Sequence, residues 1–209
     1  VLLPQGGCLQ PVGKLNKPVY VAVGNSLTHG EGQNSSYEGF AWKVARAKGW
    51  ELVNLAVGGT TISPEMISKN FTADKRVDVV SVEWGYNDWA SALHTIDKQT
   101  PKFKDALTAI RTTHPNAKIY VITPFTTTTQ NYNCVKDGVC TADNTTIADW
   151  RKMMEDEVAA RVAAGDNRIF VIKGDEISTA EDLTTDGVHL STAGAANVAQ
   201  KLIEQMNLD

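Results

Sequence analysis

Apolar residues along this chain fall into two rhythms that take turns. Short, nearly unbroken apolar runs occur at 19–24 (VYVAVG), 51–57 (ELVNLAV), 77–85 (VDVVSVEWG), 117–124 (AKIYVITP) and 168–174 (RIFVIKG). They are rich in Val and Ile and lack strict alternation, the pattern of parallel strands buried on both faces. Between them the spacing lengthens to that of helices. Phe40, Val44 and Ala47 mark one helix that ends near Gly49. Phe103, Leu107 and Ile110 mark another, with Pro101 read as lying in its first turn and Pro115 beyond its end. Ile147, Trp150, Met154, Val158 and Val162 form a third stripe that stops at Gly165. Ser191 is placed to cap a last helix carrying Val198 and Leu202 on its apolar face. Strand–helix alternation of this kind predicts a doubly wound α/β architecture with a mostly parallel sheet.

The chain has 209 residues, enough for one substantial core and short for two, so 1–209 reads as a single domain. Residues 1–17 form an N-terminal extension, and 125–143 is too polar for a core element and reads as a loop excursion. The formal net charge is −4 with no basic run, which argues against nucleic acid as a partner. No apolar stretch has transmembrane length, so no membrane insertion is expected. The start, VLLPQGGCLQ, lacks the charged and apolar regions of a signal peptide; any such segment is expected to have been removed. Cys134 and Cys140 bracket a short Asp-Gly loop that a disulfide would close, the alternative being two reduced thiols; Cys8 is left over. Asn-x-Ser/Thr triplets occur at Asn34, Asn70 and Asn144. Together these features point to a secreted, extracellular protein. A monomer is expected.

In open α/β sheets, sites form at the carboxyl ends of strands, so the residues just past each strand matter together. After the first strand stands Gly24-Asn25-Ser26, and after the second comes NLAVGGTT, with Asn54, Gly59 and Thr61. After the third comes GYND, with Asn87 and Asp88; ahead of the last helix comes DGVHL, with Asp186 and His189. Each piece alone has a plainer reading. Ser26 is a helix cap, Gly58-Gly59 a tight turn, Asn87-Asp88 a turn or cap, and Asp186 a loop aspartate. Together they supply what acyl transfer needs: Ser26 as nucleophile, His189 as base and Asp186 to orient it. The N–H groups of Ser26 and Gly59 and the Asn87 amide would form an oxyanion hole. Histidines 29, 94, 114 and 189 are scattered and the cysteines lack zinc spacing, so neither metal nor cofactor is expected. His29 reads as an exposed loop residue and His114 as a cation at a helix C-terminus.

These four blocks, GNSLTHG (24–30), NLAVGGT (54–60), GYND (85–88) and DGVHL (186–190), resemble those of the SGNH hydrolases, the GDSL esterase/lipase family. The likeness runs from about residue 18 to 206. It implies a three-layer α/β/α domain with a flavodoxin-like, five-stranded sheet, and it carries the family roles onto Ser26, Gly59, Asn87, Asp186 and His189. The G-x-S-x-G elbow of α/β-hydrolases is absent around Ser26. Two positions depart from the family: Asn25 stands where Asp is usual, and Gly58 where Ser is frequent. The family spans lipases, thioesterases, arylesterases and carbohydrate deacetylases. Trp84 reads as core, whereas Tyr86 and Trp89 lie beyond the strand and are candidates for walling a cleft against a sugar ring. With no amphipathic membrane-binding segment, the leading expectation is a serine esterase that removes acetyl groups from a carbohydrate. A lipid or aryl esterase on the same residues is the second reading, and a non-catalytic carbohydrate-binding module the third.

Overall fold

Five strands form in the computed structural model, which describes residues 16–91, 93–129 and 145–208. They are β1 (Val19–Gly24), β2 (Glu51–Asn54), β3 (Val79–Glu83), β4 (Lys118–Ile122) and β5 (Ile169–Ile172). All pair in parallel, in the order β2-β1-β3-β4-β5. The helices are α1 (Ser26–His29), α2 (Phe40–Lys48), α3 (Pro64–Asn70), α4 (Tyr86–Trp89), α5 (Ile96–Thr113), α6 (Ile147–Ala163), α7 (Gly174–Ile177) and α8 (Thr192–Gln205).

The sheet divides two cores. Side chains alternate across a strand, so Val21, Val23, Val80, Val82, Ile119 and Val121 face one layer. There they meet Ile67 of α3, Phe103 and Leu107 of α5, and Trp150 and Met154 of α6. Tyr20, Ala22, Val79, Tyr120 and Ile122 face the other, against Phe40 and Val44 of α2 and Val198 and Leu202 of α8. Covering both faces is what makes β1, β3 and β4 read as continuous apolar runs. The edge strands are less enclosed: Val53 of β2 and Phe170 of β5 remain exposed, Phe170 stacked on Tyr120 at 5.2 Å between ring centroids.

Several elements differ from the sequence expectation. α5 starts at Ile96, capped by Thr95, so Pro101 lies inside the helix rather than in its first turn. The cap placed the start earlier than the proline did. In α2 the inward residues are Phe40, Ala41, Val44 and Ala45, and Ala47 faces solvent. In α6 the buried stripe is Trp150, Met153, Met154, Glu157 and Val158, while Val162 is half exposed. Twelve residues past Trp150, a helix has turned Val162 about 120° off that face. His114 caps α5 but is buried, edge-on to Phe71, and desolvation lowers its pKa; it is a neutral core ring, not a cation. His29 is exposed as expected, and Ser191 caps α8 by accepting from the Gly194 N–H. The second strand stops at Asn54, yet Leu55 and Val57 still donate to Ala22 and Gly24, so the chain follows β1 up to the rim. Cys8, Cys134, Cys140 and Asn144 lie outside the described residues, as do most of the N-terminal extension and of the 125–143 excursion.

Candidate active site

The carboxyl ends of β1, β2 and β3, together with the loop before α8, meet at one rim of the sheet. Ser26 opens α1 directly after β1, with Asn25 as its N-cap. As the first residue of a helix its N–H has no intrahelical acceptor. Asn54 ends β2 and ties the far end of the same turn by donating from Nδ2 to the Thr28 carbonyl at 3.1 Å. Beyond it, Gly59 takes φ +77°, a backbone setting that few side-chain-bearing residues adopt cheaply. Asn87 sits in α4, just past β3, and its Nδ2 donates to the Thr60 carbonyl at 2.9 Å. That bond fixes the amide plane and leaves its second N–H available.

The segment before α8 completes the rim. His189 Nε2 lies 2.9 Å from Ser26 Oγ, and His189 Nδ1 lies 2.7 Å from Asp186 Oδ2. Asp186 Oδ1 accepts from the backbone N–H of Val188 and His189 and from Thr184 Oγ1, at 2.8, 2.9 and 2.7 Å. Burial alone would raise its pKa. The hydrogen bonds from His189, Thr184 and Val188 outweigh it and hold the carboxyl well below the ordinary range. An ionised Asp186 thus fixes the imidazole tautomer that leaves Nε2 facing the hydroxyl. The turn between them depends on Gly187, at φ +72°, where a Cβ would come within 2.3 Å of Thr128 Oγ1.

The Thr run at 126–129 supports this turn. Thr127 Oγ1 and the Thr128 N–H both donate to the Gly187 carbonyl, and Thr129 Oγ1 donates to that of Asp186. The first part of the supposed excursion is therefore a brace for Asp186 and His189. Polarity marked these threonines as loop; only the fold shows what the loop holds.

Ser26, Gly58, Gly59, Asn87, Asp186 and His189 line one open cleft of about 620 Å³. Tyr86 also lines it, whereas Trp89 does not. Trp89 is 5% exposed, packs edge-on to Tyr86 at 5.8 Å, and donates from Nε1 to the Thr145 carbonyl at 3.1 Å. Its indole is thus part of the core rather than a cleft wall, because the one-turn helix α4 rotates it inward. Trp84 is buried, as its place at the strand end suggested. Two features escaped the motif reading. Glu31 lines the cleft. Glu83 lies buried beneath α1, and the visible signal was a charged residue ending an otherwise apolar run.

Among the described residues no cluster of His, Cys, Asp or Glu is arranged to hold a metal ion, and no helix is long and apolar enough to cross a membrane. A hydroxyl, an imidazole and a carboxylate in hydrogen-bonded series, in a cleft also lined by Gly59 and Asn87, form an arrangement suited to acyl transfer.

Solved structures of similar shape have little sequence in common with this chain. A family two carbohydrate esterase from Clostridium thermocellum in complex with cellohexaose superposes with a TM-score of 0.74 at 17% identity, over 96% of this chain and 66% of that one. A carbohydrate esterase family 2 enzyme with a carbohydrate-binding domain, from Corynascus thermopiles (Myceliophthora fergusii), gives 0.72 at 16%, over 94% and 67%. Salicylyl-acyltransferase SsfX3 from a tetracycline biosynthetic pathway gives 0.72 at 19%, over 90% and 53%. The chain thus spans about half to two thirds of the length of these structures, and at such identities they show the fold. No curated protein matches it in sequence. The sequence model of the GDSL-like lipase/acylhydrolase family matches residues 22–196, a span holding all four blocks and the whole rim from Ser26 to His189, and the chain belongs to that family.

Proposed function

We propose that this protein is a serine esterase that removes small acyl groups, acetyl foremost, from a neutral substrate such as a carbohydrate. The observation that carries the reading is the unbroken series Ser26 Oγ, His189 Nε2, His189 Nδ1, Asp186 Oδ2, with contacts of 2.9 and 2.7 Å, open to the cleft. In the proposed reaction Ser26 Oγ attacks the ester carbonyl while His189 Nε2 takes its proton. Charge developing on the carbonyl oxygen is met by the N–H groups of Ser26 and Gly59 and by the free N–H of Asn87. His189 then gives the proton to the departing alcohol, and water, activated by the same imidazole, releases the acyl group from Ser26. Asp186 stays ionised and stabilises the imidazolium.

The substrate class is supported by the lining. The cleft is open, and the largely buried Tyr86 borders it. Among the described residues its charged lining is Glu31 and Asp186, with no Lys or Arg, which favours a neutral ester over an anionic one. The shape shared with two carbohydrate esterases points the same way. Action on extracellular glycans would agree with the sequons and with a disulfide between Cys134 and Cys140, should they pair.

The test combines a variant with a substrate series. Ser26→Ala should abolish hydrolysis of p-nitrophenyl acetate with an unchanged melting temperature, and a fluorophosphonate should label Ser26 in the wild type. Rates should fall steeply as the acyl chain lengthens from acetyl to octanoyl. A rate that rises with chain length would replace the proposal by a lipid esterase. A wild type that binds acetylated glycans without cleaving any ester would make it a binding module.

A further inference from the structure

Glu83 is fully buried at the carboxyl end of β3, directly beneath the residues that carry Ser26. A carboxyl in such a place is costly unless donors face it. Here three do. Thr28 Oγ1 donates to Oε2 at 3.0 Å, Asn25 Nδ2 donates to Oε1 at 3.3 Å, and the Asn25 N–H adds another bond. Burial still prevails over these bonds and pushes the carboxyl up to about 8, with Asp88 nearby opposing a second negative charge.

The donors come from both ends of α1. Asn25 is its N-cap and Thr28 its third residue, so Ser26 lies between the two anchors. Asn25 serves a second purpose, since its Oδ1 accepts the Leu27 N–H at 2.9 Å. A four-residue helix has almost no stability of its own, because one turn fixes many dihedrals for few hydrogen bonds. Its orientation must come from tertiary contacts. Below the turn these are the bonds to Glu83; on the far side Asn54 holds the Thr28 carbonyl.

We propose that Glu83 is a positioning residue for Ser26, acting through Asn25 and Thr28, and that the amide at position 25 is matched to the acid at 83. The match explains why Asn stands where the family usually has Asp. Asn25 Nδ2 is a donor facing Oε1, and an aspartate there would set two carboxyl oxygens against each other. The inference rests on the reading of Ser26 as nucleophile. A glutamate that merely filled space beneath α1 would be replaced without loss by its isostere glutamine; a positioning glutamate would not.

The experiment is a double-mutant cycle in the full chain, with kcat expressed per active site titrated by fluorophosphonate. The cycle is measured at pH 9, where the Glu83 carboxyl is ionised and both of its oxygens only accept. There Glu83→Gln turns one acceptor into a donor facing a donor, and Asn25→Asp sets an acceptor against an acceptor. Each should lower kcat about 10- to 100-fold with KM unchanged, the cost expected of a displaced reacting group. The double variant restores donor to acceptor and should recover to within about threefold of wild type. Thr28→Val, which keeps the side-chain shape and removes one donor, should also lower kcat; it provides a folded comparison if a single variant at 25 or 83 is unstable. Wild-type kcat in Thr28→Val, or losses at 25 and 83 that simply multiply in the double variant, would overturn the proposal. A wild type without esterase activity or Ser26 labelling would instead remove the reading on which it rests.

Discussion

Asn87 has two amide hydrogens, and the structure commits one of them to the Thr60 carbonyl. The other is the proposed oxyanion donor, held in place by the first. Asn87→Ala should therefore lower kcat by about 10²–10³ with little change in KM, the usual cost of one such donor. Steady-state kinetics with p-nitrophenyl acetate would show it; a KM-only defect would reassign the residue to substrate binding. Glu83 makes a separate prediction about stability. Its folded pKa, about 8, lies above the 4.5 of an unburied glutamate, so the folded protein holds a proton that the unfolded chain releases. That contribution is whole below pH 4.5 and declines as pH rises to about 8, beyond which it is flat. Asp88, pushed up to about 6 by burial, adds to the fall at lower pH. Chemical denaturation across pH 5–9 should show stability falling through this window, and Glu83→Gln should flatten the slope. At this scale the sequence disclosed residues whose chemistry is written in their type and spacing, such as Ser26, Asp186 and His189. It did not disclose Trp89, which a short helix turns inward, or Glu83, whose role depends on the turn that packs over the end of β3.

The elements that carry these residues are short, and neighbours hold them. α1 and α4 have four residues each, too few to stand alone, and the turn at 184–189 has no regular structure. Five apolar runs located the five strands, because burial on both faces leaves a strong compositional trace. Element limits were less legible: Pro101 suggested a helix start that the Thr95 cap moved earlier, and Val162 continued a stripe that the helix twist carries into solvent. The brace from Thr126–129 was illegible for a different reason, since its partners lie 52 to 60 residues away in sequence. It is testable at Gly187. Alanine there would be strained at φ +72° and would collide with Thr128 Oγ1. Gly187→Ala should cost about 1–3 kcal/mol in denaturant unfolding. It should also lower kcat, since it shifts His189 and Asp186 together. An alanine variant with wild-type kcat would mean that the turn tolerates displacement.

Across the whole molecule, the strand order β2-β1-β3-β4-β5 explains why the site lies where it does. The chain reverses its direction of travel across the sheet at β1 and β3, and the loops leaving these strands diverge and open a crevice. Ser26 follows one of the two strands and Asn87 the other, so the proposed nucleophile and oxyanion donor face each other across that crevice. The same architecture gives the cleft its electrostatic character. Among the described residues Glu31 and Asp186 line it and no Lys or Arg does, on a chain of net charge −4. An anionic ester must approach against that field, and the low dielectric of the cleft walls strengthens it. Phenyl acetate and 4-acetoxybenzoate carry the same acyl group, and the second bears a carboxylate on the leaving group. After correction for their reactivities toward hydroxide, kcat/KM should be about tenfold lower for the anionic ester at low salt. The difference should shrink as ionic strength rises and the screening length falls from about 30 Å at 0.01 M to about 3 Å at 1 M. Glu31→Gln should narrow the low-salt gap while leaving the neutral ester's kcat/KM within about twofold of wild type. Equal corrected rates for both esters at low salt would show that the cleft does not discriminate against negative charge on the leaving group, and would remove the electrostatic argument for an uncharged substrate.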